Sequence, residues 1–288
     1  MASGRMTNGA SERGEGFLAL PLMLFYLLFF IAPLLLLFAV SLHADKEMTS
    51  WGLTQYAKTL TDGFGLGVLF DTLRLGVETT LLCLLLGFPL AWLHRSAGPR
   101  WQGVIILITV LPLLTSVIVR TFAWIVILGR QGIANTLLLE LGLTETPLRL
   151  LYSHGGLVIA LAQVQLPLMV LPLIDALQKL DPNLESASAA LGAGRWRSFF
   201  RIVLPLSLPG IIAGSVLTFS AAVTAFITQS LVGGGQQLYM PMYIYQQALT
   251  LQNWPFAATI SVIFMVAVLF CIALFNLLGR YTRRYSAM

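Results

Sequence analysis

Six long apolar runs constrain this chain more than any other feature of its sequence. They lie at positions 17–42, 68–93, 103–129, 155–177, 208–232 and 256–279. Each is longer than the roughly 20 apolar residues that a helix needs to cross a bilayer. A bilayer admits only helices or closed β-barrels, and the continuous rather than alternating character of these runs excludes a barrel. The sequence therefore predicts an all-α integral membrane protein with six transmembrane helices.

The composition excludes the main water-soluble classes of protein. Hydrophobic residues make up 57% of the 288 residues and charged residues only 10%, whereas soluble domains carry about 25% charged residues. A soluble enzyme of this size and a disordered chain both need more charge than this. Cys83 and Cys271 fall inside apolar runs and the three histidines are scattered. We therefore expect neither a disulfide framework nor a metal site.

The N-terminal part of the chain allows two interpretations. The first 16 residues are small and polar, and we expect them to form a disordered tail. The run at 17–42 is either a signal peptide or a retained helix. It is too long for the apolar region of a signal peptide, and no small-residue cleavage pattern follows it. We therefore expect it to be the first transmembrane helix.

The basic residues predict the orientation of the chain. With the N-terminus inside, eleven of them flank the cytoplasmic side: Arg5, Arg13, Arg95, Arg100, Lys179, Arg195, Arg197, Arg201, Arg280, Arg283 and Arg284. Four lie on the outer side: Lys46, Lys58, Arg130 and Arg149. The positive-inside rule then places both termini, including a tail at 280–288, in the cytoplasm. The net charge of +5 reflects this distribution, and we expect no nucleic-acid partner.

Two charged residues inside the apolar runs are candidates for function. Glu78 and Arg120 lie about ten and nine residues from the outer ends of their runs, which cross the membrane in opposite directions. An interhelical Glu78–Arg120 pair is therefore expected, either holding the helices together or lying in a substrate path. Arg74, four residues before Glu78 on the same helix face, is the competing partner.

Small residues recur along the fifth run in a pattern that permits close helix packing. They share one helix face and are Gly210, Gly214, Thr218, Ala221 and Ala225. The face serves either packing within this chain or contact with a second membrane subunit.

The cytoplasmic segment between the fourth and fifth runs, residues 181–205, contains a specific pattern. Asp181 followed by Pro182 predicts the start of a short helix, and Gly192 can close it. A second short helix is expected to end at Pro205. Its apolar stripe has helical spacing and consists of Trp196, Phe199, Phe200 and Val203. The stripe fits either the membrane surface or a groove of a cytoplasmic partner.

This segment resembles the EAA loop of the membrane permease subunits of binding-protein-dependent ABC importers. Gly192 is followed after nine residues by the sequence Ile-Val-Leu-Pro at 202–205, which matches the second half of that signature. In the first half, Ser186 stands where the signature has glutamate, Glu185 lies one residue earlier, and Ala187 matches an alanine. The sequence at 119–129 further resembles the spermidine/putrescine branch, which also contains importers of opines and phosphonates.

The resemblance implies an ABC importer type I permease fold over residues 68–279, in a bacterial inner membrane. Such a chain forms half of the path for a small organic solute, here spermidine- or putrescine-like, with opines, phosphonates or other small solutes as alternatives. The implied partners are a second homologous permease, two cytoplasmic ATPase subunits and an external solute-binding protein. The implied ATPase contacts are Leu184, Glu185, Ala187, Leu191, Gly192, Trp196, Phe199, Phe200, Ile202 and Pro205.

The sequence predicts a transport subunit rather than an enzyme. A P-loop needs Gly-Lys-Ser/Thr, and none of Lys46, Lys58 and Lys179 follows a glycine. We therefore expect no cofactor on this chain, with ATP and Mg²⁺ bound by the partner ATPases. A stand-alone channel or ion-coupled secondary transporter would account for Glu78 and Arg120 but not for the 181–205 loop. A membrane-embedded enzyme is disfavoured because no catalytic constellation supports it.

Overall fold

The fold is built from helices, as the apolar runs predict. The computed structural model describes residues 21, 23–181 and 183–286, so the expected tail at 1–16 and Pro182 lie outside the described residues. In chain order the helices are α1 (Met23–Ser41), α2 (Thr54–Thr61), α3 (Gly63–Ser96), α4 (Pro99–Leu114), α5 (Val117–Leu128), α6 (Ile133–Glu140), α7 (His154–Gln178), α8 (Asn183–Ala190), α9 (Arg195–Val223), α10 (Phe226–Gly233), α11 (Met240–Tyr245) and α12 (Trp254–Ser286). α12 runs past position 279, where a tail was expected.

Among the described residues, six helical segments are long and apolar enough to cross a membrane, which confirms the predicted class. They are α1, α3, the segment Val117–Glu140, α7, α9 and the apolar part of α12, Trp254–Leu277. The apolar run at 103–129 differs from expectation, because it is not one helix. α4 ends at Leu114, Thr115 is extended, and α5 restarts at Val117. Pro112 in the last turn of α4 removes one backbone donor and favours this interruption.

The larger of two compact units, Gly63–Tyr243 with residues from Phe264 onward, is centred on α7. α7 packs along α3 and α9, and its buried side chains include Met169, Leu173 and Leu177. The small-residue face of α9 serves this packing. A Cβ atom on Gly210 would lie 2.6 Å from the carbonyl oxygen of Pro172, and one on Gly214 would lie 2.8 Å from the Met169 sulfur.

The smaller unit combines residues up to Asp62 with Ile244–Ile263. Its polar contacts join α1 to its neighbours: the Ser41 and Tyr56 hydroxyls lie 2.6 Å apart, and the Thr259 hydroxyl donates to the Ser41 carbonyl at 3.1 Å. In the connection after α1, hydrogen bonds from Thr49 and Ser50 lower the pKa of Asp45. These contacts fix the connection between α1 and α2.

Candidate functional site

The 181–205 loop begins with α8, which is capped at both ends. At its start the Asp181 carboxylate accepts a hydrogen bond from the Asn183 backbone at 2.9 Å. At its end Gly192 adopts a left-handed conformation with φ of +81°. The Gly192 and Ala193 N–H groups bond to the carbonyls of Ala189 and Ser188, at 2.9 and 3.1 Å. This is the Schellman arrangement that glycine favours, so the predicted closing role of Gly192 is confirmed.

The second half of the loop continues directly into a membrane span. α9 begins at Arg195 and runs without interruption through Pro205 to Val223. The expectation that Pro205 ends this helix is therefore wrong. The turn Phe199–Val203 is widened into a π-helix, in which the Leu204 N–H bonds to the Phe199 carbonyl five residues back. A widened turn relieves the clash that a proline ring otherwise makes with the preceding turn.

The predicted apolar stripe divides into a buried and an exposed part. Phe199 packs edge-on against Phe88 and Trp92 of α3, with ring centroids 5.5 and 5.6 Å apart, and Val203 is buried. Trp196 and Phe200 instead stack on each other at the surface.

The exposed part continues onto the neighbouring helix. The exposed fractions of Leu191, Trp196 and Phe200 are 89%, 77% and 57%, and Leu184 is also exposed. These four residues are called the loop surface below. Ala187 is exposed on α8, whereas Ile202 and Pro205 are half-buried.

Two polar contacts hold the loop in place. Arg95 at the end of α3 donates from Nη1 to the Glu185 carboxylate at 2.6 Å. The buried hydroxyls of Ser188 and Ser198 lie 2.7 Å apart and join α8 to α9. Glu185 thus has a defined partner within the chain although it stands one residue before the signature position.

Glu78 lies near the middle of α3, in a polar cluster beside the first turn of α7. Its carboxylate accepts from Arg74 Nε at 2.7 Å and contacts His154 Nε2 at 2.5 Å. The His154 Nδ1 lies 3.2 Å from the Tyr239 hydroxyl, which donates to the Gln237 amide oxygen at 2.6 Å. We call Arg74, Glu78, His154, Gln237 and Tyr239 the mouth cluster.

The mouth cluster borders a cavity of about 540 Å³ that is also lined by Asp71 and Phe64. Burial and the nearby carboxylates of Asp71 and Glu78 raise the pKa of Tyr239. His154 and Tyr239 were not predicted from the sequence as functional residues. The available signal was the position of a histidine immediately before a long apolar run.

The expected Glu78–Arg120 pair does not form among the described residues, and the Glu78 carboxylate is bound by Arg74 and His154 instead. Glu78 contacts His154, the first residue of α7. Trp124, one turn beyond Arg120, donates from Nε1 to Gln163, nine residues further along α7, at 3.1 Å. The Arg120 Nε and Nη1 atoms are buried and have no hydrogen-bond partner among the described residues. Arg74, the competing partner, takes the pairing position.

Comparison with known proteins gives a consistent assignment of the whole chain. Residues 10–285 match the family described as binding-protein-dependent transport system inner membrane component. The spermidine/putrescine transport system permease protein PotB of Haemophilus influenzae is 34% identical over 241 residues, covering 82% of this chain and 84% of that protein. PotB of Escherichia coli is 34% identical over 203 residues, covering 70% and 74%.

Solved structures with the same fold include a bacterial alginate importer. The crystal structure of an ABC transporter involved in the import of the acidic polysaccharide alginate matches with a TM-score of 0.73 at 18% identity, covering 94% of this chain and 96% of that one. The crystal structure of a bacterial alginate ABC transporter in complex with alginate pentasaccharide-bound periplasmic protein matches with a TM-score of 0.77 at 18% identity, with the same coverage.

Proposed function

Because the chain belongs to the binding-protein-dependent transport system inner membrane components, we propose that it forms one half of the path of an ATP-driven polyamine importer. In this proposal ATP and Mg²⁺ bind to two cytoplasmic ATPase subunits, and a second homologous permease completes the path. A solute-binding protein delivers the substrate from outside. Both termini and the 181–205 loop lie in the cytoplasm, as the basic residues indicate.

The loop surface is the observation that supports a role of the loop in coupling the ATPase subunits to the membrane helices. Leu191, Trp196 and Phe200 expose large apolar groups close to the charged Arg195, Arg197 and Arg201, and exposed apolar patches of this kind mark protein interfaces. The loop is capped, tied to α3 through Glu185, and continuous with α9. A displacement imposed on it by an ATPase is therefore transmitted to a membrane span. Together with the exposed apolar groups, Glu185, Ala187 and Gly192 shape the part of the loop presented to the ATPase, and Phe199, Ile202 and Pro205 support it from behind.

The proposed substrate class is an aliphatic polyamine such as spermidine or putrescine. It is supported by relatives that share 34% identity over most of this chain and carry that name. The cavity beside the mouth cluster is lined by Asp71 and by the rings of Phe64 and Tyr239, together with the cationic Arg74. Glu78 belongs to the mouth cluster, and Arg120 lies on α5. Opines, phosphonates and other small solutes are the alternative substrates.

Trp196→Ala tests the coupling role in the complete importer reconstituted into liposomes. Loss of a central interface tryptophan is expected to lower ATPase stimulation and uptake by at least about tenfold. Trp51→Ala is the matched control, because Trp51 is also a strongly exposed tryptophan, at 69%, but lies outside the loop. Equal activity of the two variants would contradict the coupling role.

The substrate is tested with the unmodified importer. Uptake of radiolabelled spermidine is expected to require the solute-binding protein and ATP, and to be competed by putrescine. Titration of the purified binding protein by calorimetry gives an independent measurement. A binding protein that takes up no polyamine would overturn the substrate assignment while leaving the permease role intact.

A further inference from the structure

A basic edge borders the apolar part of the loop surface on the first turns of α9. Trp196 and Phe200 are four residues apart and their rings stack, with centroids 6.1 Å apart. Arg197 and Arg201 follow them at the same spacing, so their side chains form the neighbouring column on the helix surface. Both arginines are exposed. We call these two arginines the basic rim.

The basic rim has no carboxylate partner within the described part of the chain. The ion pairs among the described residues include neither of its arginines. The three carboxylates nearest to it in the sequence are already bound: Asp175 by Lys179 at 2.7 Å, Glu185 by Arg95 at 2.6 Å, and Asp181 by the backbone at the start of α8 at 2.9 Å. The rim is therefore a positive patch that this chain does not neutralise.

The length of α9 places the basic rim outside the hydrocarbon core of the membrane. α9 has 29 residues, or about 43 Å, whereas the core is about 30 Å thick. Residues 204–223 are uncharged and match the core, so residues 195–203 project from it by about 13 Å. Side chains on a helix lean toward its N-terminus, which for α9 is the projecting end. The guanidinium groups of the rim therefore point away from the membrane.

A protein partner matches this surface better than lipid headgroups do. A basic amphipathic helix that binds lipid lies in the plane of the membrane surface and buries its apolar face there. α9 instead continues through Pro205 into a span, and the exposed rings of Trp196 and Phe200 lie on its projecting part. Exposed aromatic rings beside positive charge fit an apolar groove that is bordered by negative charge.

We propose that the ATPase subunit that receives the loop surface carries carboxylates at the border of its docking groove, and that these carboxylates bind Arg197 and Arg201. This inference rests on the proposed function, which supplies the ATPase. Charge complementarity selects carboxylates, because a guanidinium presents paired N–H groups that match their two oxygens. The rim sets how fast the ATPase binds, and the apolar rings set how long it stays bound.

The first test measures the binding kinetics of the ATPase on the permease pair in nanodiscs of phosphatidylcholine, which contain no anionic lipid. Arg197→Gln with Arg201→Gln is expected to lower the association rate constant by about tenfold at low salt and by much less at high salt, because salt screens exposed charges. The dissociation rate should change little in this variant, whereas Trp196→Ala should raise it.

Arg100→Gln with Lys179→Gln is the matched control, because it removes the same charge from the cytoplasmic side at a distance from the basic rim in the sequence. This control is expected to retain the association rate. Equal association rates of the two double variants would overturn the proposal. A salt dependence that appears only after phosphatidylglycerol is added to the nanodiscs would overturn it in favour of a lipid contact.

A second test keeps the positive charge and identifies the partner group. Arg197→Lys introduces an amine, and a water-soluble carbodiimide joins an amine to a carboxylate in contact with it through an amide bond, with loss of water. In the assembled importer this treatment is expected to link position 197 to an acidic residue of the ATPase, which mass spectrometry identifies. Arg100→Lys is the control. The absence of a link between position 197 and the ATPase would contradict the proposal.

The two proposals fail in different ways. If the ATPase binds the unmodified permease pair, and binds the Arg197→Gln with Arg201→Gln variant at the same rate, the inference about the basic rim is wrong. If the ATPase does not bind the unmodified permease pair, the proposed function itself is wrong.

Discussion

Arg95 and Glu185 connect the end of α3 to α8 through an ion pair of 2.6 Å, although they are ninety residues apart in the sequence. The pair is partly exposed, and such pairs contribute about 1 kcal/mol or less to stability. Its importance therefore lies in positioning: it fixes where α8 presents the loop surface. The guanidinium also lies 5.6 Å from the Trp92 ring, so Arg95 itself is held in place.

Glu185→Gln is expected to uncouple ATP hydrolysis from uptake while leaving assembly intact. The neutral amide weakens the contact with Arg95, and the loop surface loses its fixed position. Uptake per ATP hydrolysed, measured in liposomes, should fall several-fold. Asp175→Asn is the control, because it removes an equally short pair, with Lys179, that is far more exposed. The double variant Arg95→Glu with Glu185→Arg exchanges the two charges and re-forms the ion pair. It should therefore retain more of the coupling than Glu185→Gln does.

Gly192→Ala is expected to destabilise the loop by about 1 kcal/mol, because an L-residue pays that cost in the left-handed region. A Cβ atom at Gly192 would meet no neighbour within 4 Å, so the effect is conformational rather than steric. Gly194→Ser is the control, since Gly194 has φ of −70° and serine is a favoured N-cap residue. Hydrogen exchange of the Ala193 amide measures the difference, and equal protection in both variants would contradict the argument.

Gly210→Ala is expected to destabilise the packing of α9 on α7 by about 1–3 kcal/mol through overpacking. The new Cβ atom would lie within 2.6 Å of atoms of Pro172 and Ala176. Gly155→Ala, where a Cβ atom would have no neighbour within 4 Å, is the matched control. Thermal unfolding in detergent should separate the two variants, and equal midpoints would show that α7 and α9 can move apart without cost.

Deprotonation of Tyr239 is expected to lower the stability of the folded protein at alkaline pH. Its pKa is raised by burial and by the Asp71 and Glu78 carboxylates, so the folded state holds the phenolic proton more tightly than the unfolded state. Stability from this group is present below its ordinary pKa of about 10 and is lost as the pH rises above it. Tyr239→Phe should therefore lose less stability than the unmodified protein at alkaline pH. Identical pH profiles would contradict this.

The general arrangement of the chain was predictable from its sequence. In a bilayer the backbone groups of long, continuous apolar runs find hydrogen-bond partners only if the runs form helices. The residues before Gly192 predicted a short helix that this glycine closes. The stripe after it was recognised by its spacing. Its division into an inward Phe199 and an outward Trp196 was not, because that depends on where α3 lies.

The partners of the charged residues were not predictable from the ends of apolar runs. α3 begins at Gly63, five residues before its run, and the expected third helix is interrupted at Thr115. Positions counted from run ends therefore did not show that Arg74 and His154, rather than Arg120, bind Glu78. Pro112 with Thr115 and Ser116 was the available signal for the interruption.

The continuity of α9 through Pro205 gives it the geometry of a lever. Its contact with α7 at Gly210 lies fifteen residues from Arg195 and thirteen from Val223, or about 22 and 20 Å along the axis. A tilt about this fulcrum moves the two ends by nearly equal distances in opposite directions. Pro209 lies at the same point, so a bend there leaves both arms intact. A displacement of the loop end would then move the far end of this helix by nearly the same distance.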